Sequence, residues 1–177
     1  DRSTRRSSRS ASATAELGRW ATNTIGKFLV FLFFLVLSMF SAGLFGVLHD
    51  QISYTVSPEY FTRFKFLQFH LLDSKVAERI RAAQVGFLDL WWMGIPIGLL
   101  AGIAGFIHRR TKQMRSALFW SLPIILGFTL TFALAGLLYG YFLAQSIDLS
   151  SYVVWFIPPG VENMRGFLCA GYMLNSA

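Results

Sequence analysis

Asp89 is the only charged residue in the apolar run from Val85 to Ile107. A carboxylate at membrane depth is costly, and it reads first as part of a proton or cation path. Two plainer roles are the stronger readings. Asp89 can pair with Arg165, a basic residue expected at similar depth, and so pin two helices together. It can also sit wet at the interface beside Trp91 and Trp92.

His49, Asp50, Glu59, His70 and Asp73 supply imidazole and carboxylate, a ligand set suited to zinc, iron or manganese. His70 and Asp73 are three apart, which on a helix puts them on one face. No recognised ligand spacing joins these residues, so capping, solvation and loop salt bridges are the expected roles of His49, Asp50, His70 and Asp73, and no metal or cofactor is expected. His108 reads as part of the basic cluster Arg109, Arg110, Lys112 and Arg115, suited to lipid head groups. A single cysteine, Cys169, cannot form an internal disulfide framework.

Glycines form the clearest pattern. Gly94, Gly98 and Gly102 recur every fourth residue, and Gly136 and Gly140 repeat the spacing. A stripe without side chains lets another helix approach closely, either within the chain or from a partner. The chain has no Gly-rich phosphate loop, no Gly-x-Ser-x-Gly elbow, no His-Glu-x-x-His and no Cys-x-x-Cys-His.

The elements that must position these residues are membrane helices. Of 177 residues, 54% are hydrophobic and 14% charged, where a water-soluble domain carries about 25% charge. An all-α integral membrane protein is expected, with three complete spans near 28–48, 85–107 and 117–143 and a fourth, cut short, at 166–177. Phe28 to Leu48 is 21 residues without a charge, about the thickness of a bilayer core. Both ends are expected to be processed or truncated, because the chain opens without methionine and closes within an apolar segment. Pro96 is expected to kink the second span, and Pro123 lies early in the third.

Residues 1–24, rich in Ser and Arg, are expected to form a disordered cytoplasmic tail, and 25–177 a single helical membrane domain. In the outer-side loop 49–84, the alternation of Ile52, Tyr54 and Val56 with Ser53, Thr55 and Ser57 predicts a short extended segment. Ser57 and Pro58 then open a helix. Phe61, Phe64, Leu67 and Leu71 give that helix an amphipathic stripe, lying in the interface plane or capping the spans as a lid. A further helix from about Asp73 or Ser74 is expected to run unbroken into the second span.

Orientation follows from Lys and Arg. An N-terminus inside the cell puts ten basic residues in the cytoplasm and six, over longer loops, outside. Trp20 and Trp120 then mark the inner interface, and Trp91, Trp92 and Trp155 the outer one. The net charge of +7 is largely explained by this bias, and nucleic acid is not an expected partner. The expected partners are the lipid bilayer and other membrane subunits or further copies of the chain, in a bacterial inner membrane. The expected function is that of a non-catalytic accessory, assembly or scaffolding subunit. A small channel or transporter using Asp89, and a membrane metalloenzyme using the outer-side histidines and carboxylates, are the alternatives.

Overall fold

The computed structural model describes residues 2–146, 148 and 157–176, with the backbone alone for 2–15, 17 and 19. Trp155, assigned above to the outer aromatic belt, lies outside the described residues. Among the described residues every regular element is helical.

The first helix, α1, spans Arg2–Val56. It absorbs two segments expected to be something else. Residues 2–24, expected as a disordered tail, are its N-terminal part; adding a residue to an existing helix costs little compared with starting one, and Ala, Arg, Glu and Leu are good formers. The alternating stretch 52–56 is its last turn rather than a strand. Ser53 and Thr55 return their hydroxyls to the carbonyls of His49 and Gln51, a helical use of residues that in isolation resembled a β pattern.

The second span begins at Glu78, not Asp73, and it is broken. It consists of α4 (Glu78–Leu90), a 3₁₀ turn (Trp91–Met93) and α5 (Gly94–Gly105). Pro96 explains the break: its ring cannot sit against the carbonyl of Trp92, so the chain tightens there and Pro96 falls in the first turn of α5. α6 (Thr111–Ser146) carries Pro123 in its interior, and α7 (Met164–Ser176) returns along it.

Three of these segments are long and apolar enough to cross a membrane: Trp20–Val56, Glu78–Gly105 and Thr111–Ser146. α1 is the axis on which α4 and α5 pack, while α7 packs chiefly on α6. Gly94, Gly98 and Gly102 all face α1. A Cβ on Gly94 would stand 2.4 Å from the Ser38 carbonyl oxygen, and one on Gly102 2.5 Å from the Phe31 ring. The closest crossing uses isolated glycines. A Cβ on Gly86 would lie 2.2 Å from the carbonyl oxygen of Gly46, and the reverse distance is 2.0 Å. Gly136 and Gly140 face α7, at Tyr172, Ser176 and Cys169.

At one end of the bundle α1 also completes α6. The Asn23 carboxamide oxygen accepts from the Thr111 backbone N–H (3.1 Å) and hydroxyl (2.9 Å), while its amide donates to the Arg109 carbonyl at 2.9 Å. The basic residues Arg109, Arg110, Lys112 and Arg115 surround this junction and are exposed.

Candidate functional site

The opposite end holds the candidate residues Asp89, His49 and Asp50, under a lid made by 57–71. Ser57 caps α2 (Pro58–Tyr60), its hydroxyl accepting from the Tyr60 N–H at 3.3 Å, with Pro58 at the first helical position. A π-helical turn follows (Phe61–Lys65), then α3 (Phe66–Gln68). The extra residue of the π turn rotates the chain, so the Phe66 N–H reaches Phe61 and both rings point into the core.

The predicted stripe is therefore corrected. Phe61 is fully buried and Leu71 partly, but Phe64 and Leu67 are exposed, and the inward face is Tyr60, Phe61, Lys65 and Phe66. In a straight α-helix Phe66, five residues after Phe61, would lie about 140° away from it; the π turn brings it round to the same side. The inward rings join Ala82 and Val85 of α4 and Phe167, Leu168 and Ala170 of α7 in one core, so the segment closes the helix ends as a lid.

His70 ends the lid in the left-handed region at φ 55°. Its N–H reaches the Leu67 carbonyl and the Leu71 N–H reaches that of Phe66, the paired bonds of a Schellman end. His70 and Asp73 thus share no helix face, because the helix stops between them. Asp73 instead accepts from the Lys75 N–H at 2.9 Å, a local turn.

Lys65, four residues after Phe61, shares its inward face, and its Nζ lies 2.6 Å from Asp89 Oδ2 and 5.6 Å from the centre of the Phe69 ring. Asp89 is therefore paired to Lys65 and not to Arg165, which is exposed at the start of α7. The physical reason is reach: the lid folds over α4 and delivers an ammonium directly, with the Lys65 side chain 9% and the Asp89 side chain 31% exposed.

Asp50 lies beside this pair. The Gly46–Gly86 contact brings α1 and α4 together, and Asp50 Cβ is 3.0 Å from where a Cβ on Gly86 would be. His49 and Asp50 are both 1% exposed, with Nδ1 and Oδ1 3.2 Å apart, and the His49 ring stacks on Phe45. They are buried in mid-helix and do not form the solvated helix end expected of them. Tyr60 completes the cluster from the lid. Burial, reinforced by the negative charges of Asp89 and Asp50, pushes its phenol up to about 12, so the hydroxyl keeps its proton at every physiological pH.

Two further contacts fasten the lid. The Glu59 carboxylate accepts from the backbone N–H groups of Glu162 (2.9 Å) and Asn163 (2.7 Å), just before α7. Those bonds hold its carboxyl below the usual glutamate value. Arg81 of α4 lies over the Phe66 ring, 4.4 Å from its centre, and donates to the Leu71 carbonyl at 3.2 Å.

Comparison of the chain with protein-family models, with curated proteins and with solved structures finds no match. The chemistry of the site must therefore be read from its geometry. Among the described residues no three His, Cys, Asp or Glu side chains converge as a metal-holding group. Beneath His49 the space between α1, α5 and α6 is a cavity of about 90 Å³ whose walls include Phe45, Met93, Ile97 and Ile125. No charged side chain lies on α1 between Lys27 and His49, or from Leu90 to Ile107. The polar cluster is thus a cap on an apolar bundle.

Proposed function

We propose that this chain acts by contact, as a non-catalytic accessory, assembly or scaffolding subunit of a membrane complex. The observation that carries this reading is the bare outer surface of α6. Only 11% of the residues in its most apolar 18-residue window are buried. Phe119, Phe128, Phe132 and Phe142 are each more than 60% exposed; the buried residues are Met114 and Leu118 near the start of the helix and, beyond Pro123, only the small Ala133, Gly136, Gly140 and Ala144. A span whose second half is attached by small residues and shows its large ones outward is suited to packing against lipid or a neighbouring subunit.

On this reading α7 is the start of a fourth span, running antiparallel to α6 from the lid end. The N-terminus and the Arg109–Arg115 cluster are cytoplasmic, the lid faces the other side, and a bacterial inner membrane is the setting. A transport role for Asp89 is less favoured, because its partner Lys65 neutralises it and the spans below offer no further charge.

Native mass spectrometry of the full-length protein, mildly extracted from its own membrane, tests the proposal. A stoichiometric second protein, lost when Phe128 and Phe132 are changed to alanine, is the expected result. A partner-free monomer or homo-oligomer from the same extraction would overturn it.

A further inference from the structure

The His49–Asp50 pair is closed off, and it is not complete. Among the described residues, His49 Nε2 and Asp50 Oδ2 are buried without a hydrogen-bond partner. The charges acting on Asp50 come from His49 on its own helix, Lys65 of the lid and Asp89 of α4. Tyr60 of the lid adds a neutral phenol, and α7 brings Met173, whose sulfur is 3.5 Å from the Ser53 hydroxyl one turn further along α1. Lys65 is committed to Asp89 at 2.6 Å. Among the described residues the Asp50 carboxylate is therefore hydrogen-bonded by the imidazole alone, and Lys65 acts on it only through space.

If the imidazole is neutral and the carboxylate ionised, a net negative charge is buried without compensation, which is costly in a water-poor site. With the ring N–H at Nδ1 donated to Asp50, both remaining atoms are acceptors with nothing to accept. One added proton removes the net charge, either as imidazolium beside carboxylate or as neutral imidazole beside carboxylic acid, and turns one of the two orphaned acceptors into a donor.

We infer that the His49–Asp50 pair is a binding site for one proton, held at neutral pH beneath the lid. The proton sits between Nδ1 and Oδ1 or on a neighbouring atom of the same two side chains. Because Lys65 and Asp89 neutralise each other, losing this proton leaves the pocket with a net charge that only water can solvate. Deprotonation therefore favours lifting the lid, and a closed lid favours retaining the proton.

The test uses the full-length chain in lipid nanodiscs with ¹⁵N-labelled histidine and ¹³C-carboxyl aspartate. The chain has 3 histidines, and loss of one resonance in His49→Gln assigns the ring. Infrared spectroscopy of the same samples detects a protonated carboxyl, assigned by its loss in Asp50→Asn. Either a doubly protonated His49 ring or a carboxylic-acid band from Asp50 is expected near neutral pH, and Asp50→Asn should return the ring to its neutral form. A neutral His49 ring together with an ionised Asp50 carboxylate would overturn the inference. Stoichiometric metal in the purified protein would overturn it too, since a metal cation would then occupy the place assigned to the proton. Should either variant fail to fold, the wild-type spectra decide alone, because a protonated pair must show one signature or the other.

Discussion

Lys65 shows how one residue's role depends on what folds beside it. From sequence it is one of the basic residues of the outer-side loop 49–84; in the fold it is 7% exposed and the direct partner of Asp89. Removing one member of a buried ion pair leaves the other unpaired, commonly at 3–5 kcal/mol, and Asp89 is partly wet, so about 2 kcal/mol is expected here. Lys65→Met and Asp89→Leu should each lower thermal stability in detergent by that order, and the double variant should lose less than the sum. Additive losses would mean the two side chains do not interact. Glu59 makes a different prediction, in pH. Its carboxyl is held below the ordinary value, so its contribution to the lid is present above the unfolded pKa and fades as pH falls through the folded one. The labelling rate of Cys169, buried in α7, taken relative to the unfolded chain at the same pH so that the loss of thiolate cancels, should therefore stay low from neutral pH down to about 4.3 and rise below it. Glu59→Gln should label faster even at neutral pH.

At the scale of elements, the spans could be read from sequence, while their crossings could be read only in part. Long uncharged runs leave few alternatives to spanning helices, and the four-residue glycine spacing marks the α5 face that lies on α1. Which helix meets that face is not encoded in the spacing. The tightest contact, Gly46 against Gly86, has no repeat to announce it, since two isolated glycines on different helices become a pair only after folding. The π turn was hidden for a related reason: it depends on Phe66 packing under Arg81 and against the core, not on local propensity. Asp89 could be singled out as a costly charge, but its partner could not, because lid register decides which cation arrives. The crossing supplies its own test. Gly86→Ala should cost about 3 kcal/mol or prevent folding, since its Cβ meets backbone that cannot yield. Gly127→Ala, with nothing within 4 Å, should change the unfolding midpoint little.

For the whole molecule, polarity is divided between the two ends. One end carries the Asn23 junction with Arg109, Arg110, Lys112 and Arg115; the other carries the lid, the buried cluster and α7. The proposed orientation puts the first end in the cytoplasm. A reporter active only in the cytoplasm should work when fused at the N-terminus and fail when inserted after Leu72; the opposite pattern would reverse the orientation. The Asn23 junction also bears on how the chain is made. The first backbone donor of α6, the Thr111 N–H, is satisfied by a side chain 88 residues earlier in the sequence. During synthesis α1 is translated well before α6 exists, so the later helix arrives at a cap already waiting for it. Thr111 then works as a docking point: the third span reaches its final seat only once the first is in place, and Asn23→Ala would leave α6 inserted but late to settle.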